Sequence, residues 1–89
     1  MIEREVIVIN RAGLHTRPAS MIVRQAAKFE SEFFIKKDGY EINGKSIIGV
    51  MTLAAEQGST VLLILDGPDE KEAFEALAEL FSSGFGEVK

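Results

Sequence analysis

Four β-branched residues in succession, Val6 to Ile9, follow the charged Arg4 and Glu5, and the run predicts a first strand over residues 4–9. A loop over 10–14 comes next. From about Thr16 the apolar positions change period: Ala19, Ile22, Val23, Ala26 and Phe29 recur at three- and four-residue spacing, which predicts an amphipathic helix. Pro18 fits only in the first turn of such a helix, where its missing N–H costs nothing. The helix therefore starts within two or three residues of His15, which places His15 at its N-cap.

Residues 32–36 and 40–42 flank the turn signal Asp38-Gly39 and predict a hairpin of two short strands. Asn43-Gly44 makes a second turn. Ser46 then caps a short helix carrying Ile47, Ile48, Val50 and Met51 and ending near Gly58. The unbroken apolar run from Thr60 to Leu65 predicts a well-buried strand, stopped by Gly67-Pro68. Asp69, with Glu72 three residues on, reads as a capping box that opens a last helix with the stripe Ala73, Phe74, Leu77, Leu80 and Phe81. The tail GFGEVK is expected to fray. The order βαββαβα describes an α+β chain, packed most economically as one four-stranded sheet with its helices on one face and the other face wet. No repeat or linker divides it, so residues 1–89 are expected to form one domain.

Composition narrows the function classes. The chain has 46% hydrophobic and 27% charged residues, ordinary for a globular protein, and no Cys, which removes disulfides, thiol chemistry and thiolate metal sites together. Lack of Cys fits a cytoplasmic protein, and MIEREVIVIN resembles neither a signal peptide nor a membrane span. Ten basic residues against fourteen acidic ones give a net charge of −4. The acid lies late, at Asp66, Asp69, Glu70, Glu72, Glu75 and Glu79, while Arg11, Arg17, Arg24 and Lys28 sit in a stretch without acid. One small basic face suits an acidic partner surface better than a nucleic acid.

The only His stands in RAGLHTRPAS at the predicted helix start. There the first-turn N–H groups point outward and the dipole adds partial positive charge, so an anion is favoured and an imidazole stays neutral and nucleophilic. Arg17 adds a fork of donors for phosphoryl oxygens, Gly13 lets the loop bend or a ligand approach, and Pro18 fixes the first turn. A histidine that merely caps a helix is also common. With no carboxylate near in sequence, no second His and no Cys, metal binding and triad hydrolysis are poorly supported, and no metal or cofactor is expected. The chemistry that survives is a one-residue phosphoryl carrier.

GLHTRPA at 13–19 resembles the active-site signature of HPr, the histidine-containing phosphocarrier family of the bacterial phosphoenolpyruvate-dependent sugar phosphotransferase system. GKSIIGVM at 44–51 is similar to that family's regulatory serine motif. The resemblance spans essentially the whole chain. It implies an open-faced β-sandwich, a four-stranded antiparallel sheet in the order 1-4-2-3 with three helices on one side. It implies further that His15 takes a phosphoryl group on Nδ1 from phosphorylated enzyme I and passes it to the IIA domain of a sugar permease, without being an enzyme itself. Arg17 would steady the group while the amides after His15 receive its oxygens, with Gly13, Thr16 and Pro18 in support. Ala12 departs from the Ser, Thr or Asn common beside the glycine, so one small polar contact is expected to be missing; Thr16, where Ala is also common, is a mild variation.

Ser46 by itself reads as a plain N-cap. The resemblance adds regulatory phosphorylation by HPr kinase/phosphorylase, with a catabolite-control transcriptional regulator as a further partner. A phosphate there would place about −1.5 to −2 charges beside a docking surface. So short a helix cannot bury every apolar residue. Ile47, Val50 and Leu53 or Ala54 are candidates for the core, and Ile48 and Met51, with Ile47 as an alternative member, for an exposed patch. The family docks enzyme I and IIA domains on this helix together with Ser20 and Arg24, and Arg24, Lys28 and Lys45 would supply a charged rim. A stacking sheet for RNA is disfavoured, because helical spacing sends Phe29, Phe74 and Phe81 to the core. Two rivals stand beside the carrier: a regulatory module that binds partners through Ser46 with a silent histidine, and a small phosphatase using Arg17. A monomer is expected, with no nucleic acid bound and no membrane insertion.

Overall fold

Alternation along the strand Thr60–Asp66 sets the architecture: Val61, Leu63 and Leu65 are fully buried while Leu62 and Ile64, pointing the other way, stay half-exposed. In this computed structural model, which describes residues 1–87, that strand is β4 of the order β1 (Ile2–Ile7), α1 (Thr16–Ala26), β2 (Glu32–Lys37), β3 (Tyr40–Asn43), α2 (Ile47–Thr52), β4 (Thr60–Asp66) and α3 (Glu70–Ser82). The four strands form one antiparallel sheet in the order β1-β4-β2-β3. The fold is the open-faced sandwich that the resemblance implied. β4 lies between β1 and β2 with Leu63 opposite both Arg4 and Ile35. Phe33 and Ile35 of β2 join β4's buried side chains, and Ala19, Ile22 and Ala26 of α1 with Ala73, Leu77 and Phe81 of α3 cover them. Burial of these apolar surfaces is the main favourable term holding the layers together.

Several boundaries differ from those the periodicity predicts. β1 covers 2–7 rather than 4–9, because β4 offers partners only from Leu65, opposite Ile2, to Thr60, opposite Ile7. Val8 keeps two backbone bonds, to Ser59 O and from Gly58 N, and is buried as the chain leaves the sheet, while Ile9 turns outward. α1 ends at Ala26, so Phe29 packs on the core from the turn that follows. α2 ends at Thr52, well short of Gly58: Leu53 is its C-cap and Ala54 adopts φ +50°, a left-handed conformation that no helix continues through.

The capping box before α3 is absent. Asp69 is the N-cap residue, but its side chain makes no cap bond; it accepts instead from the backbone N–H groups of Glu30 and Ser31 and from the Ser31 hydroxyl. Glu70, not Glu72, accepts from the Gly67 N–H. The unpaired amides of the 29–31 turn reach Asp69 across the fold and outcompete the local cap.

The tail does not fray over its described part. Gly84–Gly86 form a 3₁₀ turn, and Phe85, at φ +57°, is 0% exposed and meets Phe81 edge-on at a centroid distance of 5.0 Å. Aromatic burial outweighs the backbone strain of the left-handed residue. Val88 and Lys89, expected to fray with the rest, lie outside the described residues. Among the described residues no helix is long and apolar enough to cross a membrane.

Candidate functional site

The loop 10–14 is held at both ends by backbone bonds, and this positions the histidine. Gly13 N–H donates to Asn10 O and Leu14 N–H to Ala55 O, tying the loop to the segment after α2. Gly13 has φ +72°, and a Cβ there would lie 2.4 Å from Ala55 O, so glycine is required twice over, by conformation and by space. Leu14 is buried and Pro18 is packed into the first turn of α1, leaving His15, Thr16 and Arg17 exposed between these two anchors.

His15 occupies the N-cap of α1 as predicted, with extended backbone, and its carbonyl accepts from Ala19 N–H. Its side chain makes no cap bond, so the ring is left for other chemistry. The first turn contains no acidic residue, and the leading N–H groups of a helix have no intrahelical partner. Arg17 is exposed and takes part in none of the ion pairs among the described residues.

A carboxylate also reaches the ring, from the far end of the chain. Glu87 Oε2 lies 3.2 Å from His15 Nε2 and accepts from Asn10 Nδ2 at 2.7 Å. Asn10 is buried, and the same amide donates to Gly13 O at 2.8 Å, so one side chain joins the loop to the tail. The Asn10 hydrogen bond holds the Glu87 carboxyl below the ordinary carboxylate range, against the opposing effect of desolvation; His15 and the Ala12 backbone N–H pull in the same direction. The sequence places no carboxylate near this histidine, and the one that reaches it comes from the tail. The only cue to Glu87 was its place two residues after an aromatic in a glycine-rich tail, a weak signal without the fold.

α1 and α2 pack against each other and run antiparallel, since Leu14 before α1 bonds Ala55 after α2, while Lys45 before α2 donates from Nζ to Phe29 O after α1. Ser46 therefore sits at the end of α2 remote from His15, and Met51 at the nearer end. Ser46 is the N-cap, its hydroxyl accepting from Gly49 N–H at 3.1 Å. Val50 and Leu53 are buried, whereas Ile47, Ile48 and Met51 are exposed, Ile48 by 79%. Ile47 and Ala54, candidates for the core, belong to the surface. On α1, Arg24 is exposed and Ser20 half-buried. Lys45 is half-buried and engaged with the Phe29 carbonyl, so the free rim charges expected at this face reduce to Arg24 and Lys28. A separate groove between β1 and α3, lined by Ile7, Ile9 and Phe74 among acidic side chains, contains none of the predicted site residues.

Comparison with known proteins points in one direction. A profile described as "PTS HPr component phosphorylation site" matches residues 2–83. The chain is 45% identical over 87 residues to the phosphocarrier protein HPr of Treponema pallidum, covering 98% of this chain and 99% of that one. It is 52% identical over 77 residues to the HPr-like protein Crh of Halalkalibacterium halodurans, covering 86% and 92%. The crystal structure of HPr-C-His from Thermoanaerobacter tengcongensis superposes with a TM-score of 0.96 at 44% identity over the full length of both chains.

Proposed function

Since the chain belongs to the HPr family of phosphocarrier proteins, we propose that it carries a phosphoryl group on His15, taken from phosphorylated enzyme I and passed to IIA domains of sugar permeases. The observation that carries this is a solvent-facing imidazole, 43% exposed, at a helix N-cap whose first turn also bears Arg17. Nδ1 of His15 attacks the donor's phosphorus, the Arg17 guanidinium and first-turn amides receive the equatorial oxygens, and the reverse displacement delivers the group. The protein is a phosphoryl-carrying intermediate of a relay, supplying an acceptor rather than a turnover site, and acts as a single cytoplasmic domain and as a monomer. Gly13, Thr16 and Pro18 preorganise the turn.

Docking uses the exposed Ile47, Ile48 and Met51 of α2 with Ser20 and Arg24 of α1. Phosphorylation of Ser46 by HPr kinase/phosphorylase lowers the affinity of that face for an acidic partner and creates a surface for a catabolite-control transcriptional regulator. Because Ser46 lies at the end of α2 away from His15, the switch acts on docking rather than on the reacting atoms. The test is direct: mixed with enzyme I and labelled phosphoenolpyruvate, the wild type takes up one acid-labile, base-stable phosphoryl group per chain and His15→Ala none. Label retained by the variant refutes the assignment, and a wild type that takes up none leaves the regulatory module as the function.

A further inference from the structure

We propose that Glu87 is a positioning residue for phosphoryl transfer, its carboxylate holding the proton of His15 on Nε2 so that Nδ1 presents the lone pair; this rests on His15 being the phosphoryl acceptor. A neutral imidazole has one N–H and one bare nitrogen, and the partner of the first decides which nitrogen is nucleophilic. A carboxylate can only accept, so of the two neutral tautomers only the Nε2–H form makes the 3.2 Å contact between His15 Nε2 and Glu87 Oε2 a hydrogen bond. That tautomer leaves Nδ1 unprotonated.

The carboxylate is not there by chance of a loose tail. Phe85, fully buried against Phe81, anchors the chain two residues earlier. Asn10, 3% exposed, directs its amide to Glu87 Oε2 and Gly13 O together, so one buried side chain ties the tail to the histidine loop. The Asn10 hydrogen bond also holds the Glu87 carboxyl below the ordinary carboxylate range, which favours its ionised, accepting form.

During transfer the Nδ1 lone pair forms the new N–P bond, and the bond from phosphorus to the donor breaks with its electron pair leaving on the donor. No proton enters or leaves the His15 ring, which becomes an imidazolium retaining its Nε2 proton opposite the Glu87 carboxylate. On delivery the N–P pair returns to Nδ1 and the ring is neutral again. Nδ1 and Nε2 lie on opposite sides of the ring, so the carboxylate favours the cationic ring while standing away from the incoming anion.

Two measurements on wild type, Glu87→Gln and Glu87→Ala test this. Long-range ¹H–¹⁵N correlation spectra of the unphosphorylated proteins read the His15 tautomer without any phosphoryl donor. The wild type is expected to be overwhelmingly Nε2–H and Glu87→Ala a mixture. Rapid-quench transfer from phosphorylated enzyme I should show a fall of about tenfold in the rate at saturation, with KM unchanged, a size typical of lost ring-orienting partners. Identical tautomer populations in all three proteins overturn the proposal, as does a shifted tautomer with an unchanged rate. If the wild type accepts no phosphoryl group, the carrier function fails, while the spectra still decide whether Glu87 sets the tautomer.

Discussion

The Asp69 carboxylate, at the N-cap of α3, is bound to Ser31 by two hydrogen bonds, one from its hydroxyl and one from its backbone N–H, with the Glu30 N–H as a third donor. Ser31 is buried, and the contact fastens the turn after α1 to the start of α3. The Ser31 hydroxyl, followed by these backbone donors, holds the Asp69 carboxyl below its ordinary value. A depressed folded-state pKa means stability that is fully present above the unfolded value near 3.8 and lost as pH falls through the folded one. Asp69→Ala is therefore expected to lower the urea midpoint at pH 7, and the gap to wild type should narrow below pH 4. Equal midpoints at pH 7 would show the clamp to be without effect.

Phe85→Ala should destabilise the protein by about 3–5 kcal/mol, the usual cost of emptying a buried aromatic site. A fraying residue would lose almost nothing. Thermal or urea unfolding distinguishes the two, and the same variant should loosen Glu87 from the histidine loop.

Arg17→Ala should slow phosphoryl transfer on the order of 10²-fold, as removal of one preorganised donor to a developing anion does. Its side chain is exposed in the first turn of α1, so stability should stay within about 0.5 kcal/mol of wild type. Unchanged rates in both directions by rapid quench would remove Arg17 from the site.

Ser46→Ala should cost about 1 kcal/mol through loss of the bond from Gly49 N–H, whereas Ser46→Asp keeps a cap. If Ser46 is a charge switch, Ser46→Asp lowers the kcat/KM of enzyme I at low salt, by less than a phosphate would. The deficit should shrink near 1 M salt, where the screening length is about 3 Å. Equal values at low salt leave Ser46 as a cap alone.

Local chemistry was legible in the sequence. The helix start at His15 needed only Pro18 and the apolar period after it, and the Ser46 cap needed only the short apolar group that follows, because caps and periodicity involve residues within one or two turns. The exposure of Ile48 and Met51 followed from too many apolar residues on too short a helix. Strand order is not contained in periodicity, and the family resemblance supplied it.

Tertiary structure decided what depends on which unpaired groups arrive from afar. Asp69 carries the cap residue type, yet it serves the amides of Glu30 and Ser31 because the fold brings them there unpaired. Lys45 looks like a rim charge and is spent on the Phe29 carbonyl. Glu87 lies 72 positions from His15 along the chain, and only the burial of Phe85 and the amide of Asn10 bring it to the ring. A hydrogen bond over that separation depends on the docking of a whole segment, and the free energy that docks it comes from side chains other than the pair itself.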